Sequence, residues 1–212
     1  MISVNIAFDN RDAELGEFFR QCKDDLITFL NDNDASDEYD VHEMHSGLCN
    51  MAYLDNRMPL INANNFLFIA YSHGEDNCLL AGGTAYIDSN HYSNVHLFTN
   101  SFFYSVACFT GARLGGHLIN SGSHTFIGYR DSYQVLDRYM AVAIECANLG
   151  IKMFFTGRNV EEAFRLMKQL YTQKVDRLIA LGDPLGASFL RENRDGLVQL
   201  GRRDLTAADF EV

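Results

Sequence analysis

Basic residues are scarce in this 212-residue sequence: 17 Lys and Arg stand against 28 Asp and Glu, for a formal net charge of −11. Phosphate contacts need clustered Lys and Arg, and no basic stripe interleaved with aromatics occurs, so direct nucleic-acid binding is excluded. No apolar run approaches the length of a membrane span, so no membrane association is expected. CxxC pairs are absent, and the five cysteines at 22, 49, 78, 108 and 146 are odd in number. The start, Met1-Ile-Ser-Val-Asn-Ile, shows no signal-peptide pattern. Free thiols in a reducing, cytoplasmic compartment follow, most of them small buried hydrophobes. Repeats, low-complexity segments and interdomain linkers are also missing, so residues 1–212 are expected to form a single domain. The acidic surplus serves solubility, or a partner or substrate of positive charge.

Several chemical signatures are absent too. No GxGxxG follows the first apolar run, and Gly111-Ala-Arg-Leu-Gly115-Gly116 lacks the Lys-Ser/Thr of a phosphate-binding loop, so no nucleotide cofactor is expected. No GxSxG elbow marks a serine hydrolase. His42-Glu43-Met44-His45 is one residue short of the HExxH metal spacing, and His91, His96, His117 and His124 have no ligand spacing. No metal and no other cofactor is expected.

Apolar material is plentiful: 47% of residues are hydrophobic and 12% aromatic, enough for one packed core. Ser3 to Phe8 reads as a strand. Leu15, Phe18, Phe19, Cys22, Leu26, Phe29 and Leu30 recur at helical steps. The acidic stretch Asn31 to Asp40 reads as a surface loop. Tyr39 to His45 is a second strand, and Leu48 to Met58 a helix ended by Pro59. Phe66 to Tyr71 is a continuous apolar run, suited to a strand buried on both faces of a parallel sheet. A hairpin through Gly82-Gly83, a strand over Ser101 to Ala107, a helix over Ala112 to Asn120 and a strand over Thr125 to Tyr129 follow. The last third is mainly helical, with stripes from Val135 to Ala147 and from Val160 to Tyr171. Gly182-Asp183-Pro184 breaks the pattern, and Gly196 to Leu200 closes as a strand. Strands alternating with helices predict an α/β fold with a mostly parallel sheet.

In such sheets reactive groups gather at the carboxyl ends of the strands. Two strands here end in groups fit for nucleophilic chemistry, one in Ser72-His73-Gly74 and the other in Ala107-Cys108. A thiol needs a base to become thiolate near neutral pH, and His is the usual partner. An isolated Cys after an apolar strand is usually a core thiol, and an isolated His a satisfied polar group. The pair points further, because both fall at strand ends and the stretch between them can hold a strand and a return. If the two strands are neighbours, His73 and Cys108 lie side by side. Gly74 then admits a close approach, and its N–H and that of Cys108 are candidate oxyanion donors.

Phe-Ile-Ala-Tyr-Ser-His73-Gly74 and Phe-Tyr-Ser-Val-Ala107-Cys108-Phe-Thr-Gly111 resemble the caspase-like cysteine peptidases. That group includes caspases, metacaspases, paracaspases, legumain, gingipains and the bacterial CHAT proteases. Thr125-Phe-Ile-Gly-Tyr129 resembles the strand that follows in the family, and the likeness covers roughly Ser3 to Tyr133. It implies the caspase-hemoglobinase fold, a three-layer sandwich with a mostly parallel central sheet and helices on both faces. It also implies a cysteine endopeptidase acting on protein substrates through a Cys108–His73 dyad, with no third catalytic residue required. A bacterial defence or cell-death role and a regulatory protein partner or activator belong to the same implication.

The sequence departs from the family at Val106, where metacaspases and paracaspases carry Asp and caspases Gln. The short stretch between Cys108 and the next strand also leaves no long linker to be cut on activation. In the family, the pocket for the residue before the scissile bond is lined at places that read Asp9, Val106 and Asp131 here. Two carboxylates would select Arg or Lys. Arg11 and Arg130 beside them would select an acidic residue if they pointed inward, and both aspartates are also ordinary turn residues. Two other readings stand beside the peptidase. One is a pseudoprotease or regulatory subunit of the same fold; the other is a flavodoxin-like binding module with an inert cysteine.

Overall fold

The structure, a computed structural model, describes residues 1–32, 38–90 and 92–211. In chain order the elements are β1 (Ile2–Phe8), α1 (Gly16–Asp32), β2 (Tyr39–His45), α2 (Met51–Arg57), β3 (Phe66–Tyr71), β4 (His73–Gly74), β5 (Cys78–Ala81) and β6 (Thr84–Asp88). They continue with β7 (Ser101–Val106), α3 (Leu114–Asn120), β8 (Thr125–Tyr129), α4 (Met140–Phe155), α5 (Val160–Ala180), α6 (Pro184–Gly196) and β9 (Leu197–Gly201). The interior of the expected loop between Asn31 and Asp40, residues 33–37, lies outside the described residues, as does His91. Asn31 and Asp32 close α1 instead of opening a loop.

Six strands form the central sheet in the order β2-β1-β3-β7-β8-β9. The pairings from β2 to β8 are parallel and β9 runs antiparallel to β8. The strand sequences explain why the sheet lies in the middle. Every residue of β3 and of β7 is buried, because side chains on a strand alternate between faces and both faces are covered. One core packs Ile6, Ile69, Tyr71, Tyr104 and Val106 against α1, α4, α5 and α6. The other packs Phe66, Phe68, Phe103 and Phe126 against α2, α3 and the β5–β6 hairpin. The expected three-layer arrangement is present.

Local chemistry sets the helix ends. The helix expected from Leu48 starts at Met51, because the Asn50 side chain accepts the Tyr53 N–H at 2.9 Å and caps it. Pro59 then tightens the chain into a 3₁₀ turn over Met58–Leu60. The stripe expected from Val135 becomes helical only at Met140 and continues to Phe155, with a 3₁₀ turn over Asp137–Tyr139 before it. Asp183 caps α6 through the Gly186 N–H at 3.0 Å, with Pro184 in the first turn.

Candidate active site

Strands β3 and β7 are adjacent and in register, with Tyr71 opposite Val106. His73 and Cys108 each lie two residues beyond that pair, so both emerge at the same level of the sheet's carboxyl edge. Both side chains are partly exposed. The backbones are close enough that a Cβ added to Gly74 would meet the Cys108 carbonyl oxygen at 2.6 Å, Thr110 Cγ2 at 2.8 Å and the Ala107 Cβ at 3.0 Å. The glycine is therefore required by close approach of the two segments. The stretch between them is a two-stranded hairpin, β5–β6, anchored to the short β4 through His73 opposite Leu80.

The turn that carries the thiol is held firmly. The Phe109 N–H donates to Asp131 O at 3.1 Å and the Gly111 N–H to Tyr129 O at 2.8 Å. Phe109, directly after the cysteine, adopts a left-handed backbone at φ 61°. Such a conformation costs a non-glycine residue roughly 1–3 kcal/mol and persists where surrounding contacts impose it. The Tyr133 N–H donates to Cys108 Sγ at 3.3 Å, and Ser132 Oγ lies 3.9 Å from the same sulfur.

The histidine is oriented from α1 and from the loop that precedes it. Phe19 meets the His73 ring edge-on, with centroids 5.5 Å apart. Asp12 Oδ2 lies 3.0 Å from His73 Nε2, while Asp12 Oδ1 accepts the N–H groups of Leu15 at 2.7 Å and Glu14 at 3.0 Å. Burial raises the Asp12 carboxyl, but those two donors and the charge and hydrogen bond of His73 outweigh it, and its pKa falls below the ordinary value. An ionised carboxylate only accepts, so His73 donates from Nε2 and Nδ1 remains the basic nitrogen. Sequence reading missed Asp12. It lies in the loop after β1, and the pairing of Phe8 with Tyr71 brings that loop beside His73.

The two expected pocket carboxylates fare differently. Asp9 is fully buried. Its Oδ1 accepts from Ser46 Oγ at 2.6 Å and its Oδ2 from the Gly82 N–H at 2.8 Å. Both oxygens are thus engaged in tying the end of β1 to the β2 loop and to the hairpin tip. Val106 is likewise fully buried, in the core under α1. Asp131 is exposed and lies 3.6 Å from Arg130. With Ser132, Arg191, Glu192 and Asp195 it walls a cavity of about 390 Å³. His42 binds Tyr53 Oη at 2.6 Å, and no group of three potential metal ligands occurs among the described residues. Among the same residues, no helix is long and apolar enough to cross a membrane.

Neither a family model nor a curated protein matches the chain. Its structure is similar to the crystal structure of the Arg-specific cysteine proteinase gingipain R, with a TM-score of 0.58 at 14% identity. The similarity covers 96% of this chain and 47% of that one, so the chain spans about half the length of the gingipain. At this identity the likeness establishes the fold, which is that of the caspase-like cysteine peptidases.

Proposed function

We propose that the chain is a cysteine endopeptidase with Cys108 as nucleophile, His73 as general base and acid, and Asp12 as the group that orients His73. The observation that carries this reading is the level placement of His73 and Cys108 at the ends of paired strands, with His73 Nε2 held by Asp12. His73 Nδ1 takes the proton of the Cys108 thiol, and the thiolate adds to the scissile carbonyl carbon. The N–H groups of Gly74 and Cys108 hold the resulting oxyanion. His73 returns the proton to the leaving amine, which departs and leaves a thioester on Cys108. Water, deprotonated by His73, then releases the acid and restores the thiol.

The substrates are proteins, cut after a cationic residue. The cavity beside Ser132 carries Asp131, Glu192 and Asp195 against Arg191, and clustered carboxylates select Arg or Lys. Gingipain R is itself described as Arg-specific.

Thiol labelling and a fluorogenic peptide panel test this reading. Burial pushes the Cys49 and Cys146 thiols up to about 12 and the Cys78 thiol up to about 11, and raises that of Cys22 as well. Cys108 alone of the five is partly exposed. Iodoacetamide near neutral pH is therefore expected to modify one thiol per folded chain, located at Cys108 by mass spectrometry. Arg- and Lys-ending peptides are expected to be cut, Cys108→Ala to abolish cleavage, and His73→Ala to lower turnover by roughly a hundredfold or more. Cleavage by Cys108→Ala at the wild-type rate refutes the assignment. Preferential cutting after Asp refutes the cationic preference and leaves the nucleophile standing.

A further inference from the structure

One side of the central sheet ends in an open edge. Among the described residues β9 pairs with β8 alone. The Arg202 N–H donates to His124 O at 2.8 Å and the Arg130 N–H to Gly196 O at 2.9 Å. Antiparallel ladders alternate, so residues 196, 198, 200 and 202 turn their backbone groups toward β8. The N–H and C=O of Gln199 and the N–H of Gly201 consequently face outward.

Beside this edge runs a cavity of about 350 Å³, walled by Gln199 and Arg203 on one side and by Glu161, Phe164, Arg165 and Lys168 of α5 on the other. Three cations meet one carboxylate there, and that carboxylate already has a partner, since Glu161 lies 3.8 Å from Arg203. Arg165 contacts the neutral Gln169, at 3.3 Å, and Lys168 lies over the Phe164 ring, at 5.2 Å from its centroid. Burial lowers the Lys168 pKa; Asp195 opposes this, and Arg130 and Arg194 add to it. In a chain of net charge −11, this is a local positive groove beside unpaired strand backbone.

We propose that the β9 edge receives a strand from a partner protein: an extended acidic segment with carboxylates at alternate residues. Its backbone pairs with Gln199 and Gly201, and its carboxylates meet Arg165 and Lys168. Alternate side chains on a strand stand about 7 Å apart, close to the roughly 5–6 Å between neighbours three apart on a helix. The main chain supplies affinity and the cations select the sequence, as in other strand additions. A second copy fits less well, because a two-fold pairing of β9 with itself would bring Arg165 and Lys168 of each copy toward their own counterparts. The site requires nothing of Cys108 and is independent of the peptidase reading.

The test uses the full-length chain and a fluorescein-labelled Glu-Val-Glu-Val-Glu-Val peptide, with the Lys-for-Glu peptide as control, read by fluorescence anisotropy. The acidic peptide is expected to bind and the basic one not. Arg165→Glu with Lys168→Glu is expected to weaken binding at least tenfold, and raised salt to weaken it in the wild type. Gln199→Pro, which removes an outward N–H, is expected to do the same. Hydrogen exchange on the unmodified protein guards against misfolded variants: the Gln199 and Gly201 amides are expected to slow when the peptide is bound. No binding of the acidic peptide overturns the proposal and assigns the cations to shielding the edge from aggregation. Binding that leaves those two amides unprotected overturns it as well. So does a concentration-dependent dimer, seen in sedimentation, that Gln199→Pro abolishes and the acidic peptide does not displace.

Discussion

Replacing Gly74 by alanine adds a single methyl group at the point where the histidine and cysteine segments touch. The new Cβ would lie 2.6 Å from the Cys108 carbonyl oxygen, against about 3.4 Å for ordinary contact. Thr110 Cγ2 at 2.8 Å and the Ala107 Cβ at 3.0 Å belong to the same stretch of chain, so the segment must retreat as a unit by about 0.8 Å. It is not free to do so, because Phe109 and Gly111 are bonded to Asp131 and Tyr129. Overpacking of this kind costs about 1–3 kcal/mol, which for a chain of this size lowers Tm by roughly 2–4 °C per kcal/mol. Catalytic geometry is more sensitive, since a displacement near 1 Å costs on the order of a hundredfold in rate. Thermal unfolding, peptide turnover and the alkylation rate of Cys108 are to be measured together. Gly116→Ala is the control: nothing lies within 4 Å of its added Cβ, and a helical Gly→Ala change gains about 0.5–1 kcal/mol. A Gly74→Ala protein with unchanged Tm and unchanged alkylation would refute the close-approach argument.

Two further substitutions separate orienting groups from structural ones. Asp12→Asn is expected to lower turnover while keeping the chain folded. The Asp12 pKa is depressed in the folded state, so its contribution to stability is present above the unfolded value and disappears as pH falls through the folded one. Urea midpoints measured from pH 6 downward are expected to show a smaller acid-side loss in Asp12→Asn than in the wild type, and parallel curves refute this. Asp9→Ala is expected to cost about 1–3 kcal/mol in urea unfolding through its lost bonds to Ser46 and Gly82, with no change in the Arg-to-Asp cleavage ratio. A changed ratio at unchanged stability assigns Asp9 to the substrate pocket instead.

The central strands were legible in the sequence because their chemistry is local. Phe66–Tyr71 and Thr125–Tyr129 are apolar runs bounded by polar residues, and their observed limits match the expected ones. The hairpin at Gly82-Gly83 announced itself through two residues that tolerate positive φ, observed at 55° and 74°. Candidate chemistry was legible for the same reason, since His73 and Cys108 directly follow buried runs. Helix ends were less so. Val135 and Leu136 share the apolar stripe of α4 yet precede it, because apolar periodicity reports burial and not where the backbone begins to coil. Tertiary structure alone decided the surroundings of the candidate pair. Asp9 and Asp12 are near neighbours on the same turn and look alike as loop aspartates. Strand pairing buries the first between Ser46 and Gly82 and brings the second to His73. The same holds for the Tyr133 N–H at Cys108 Sγ. A carboxylate's role depends on which distant donors the folded chain brings to it: the partners of Asp9 lie 37 and 73 residues further on, and that of Asp12 lies 61.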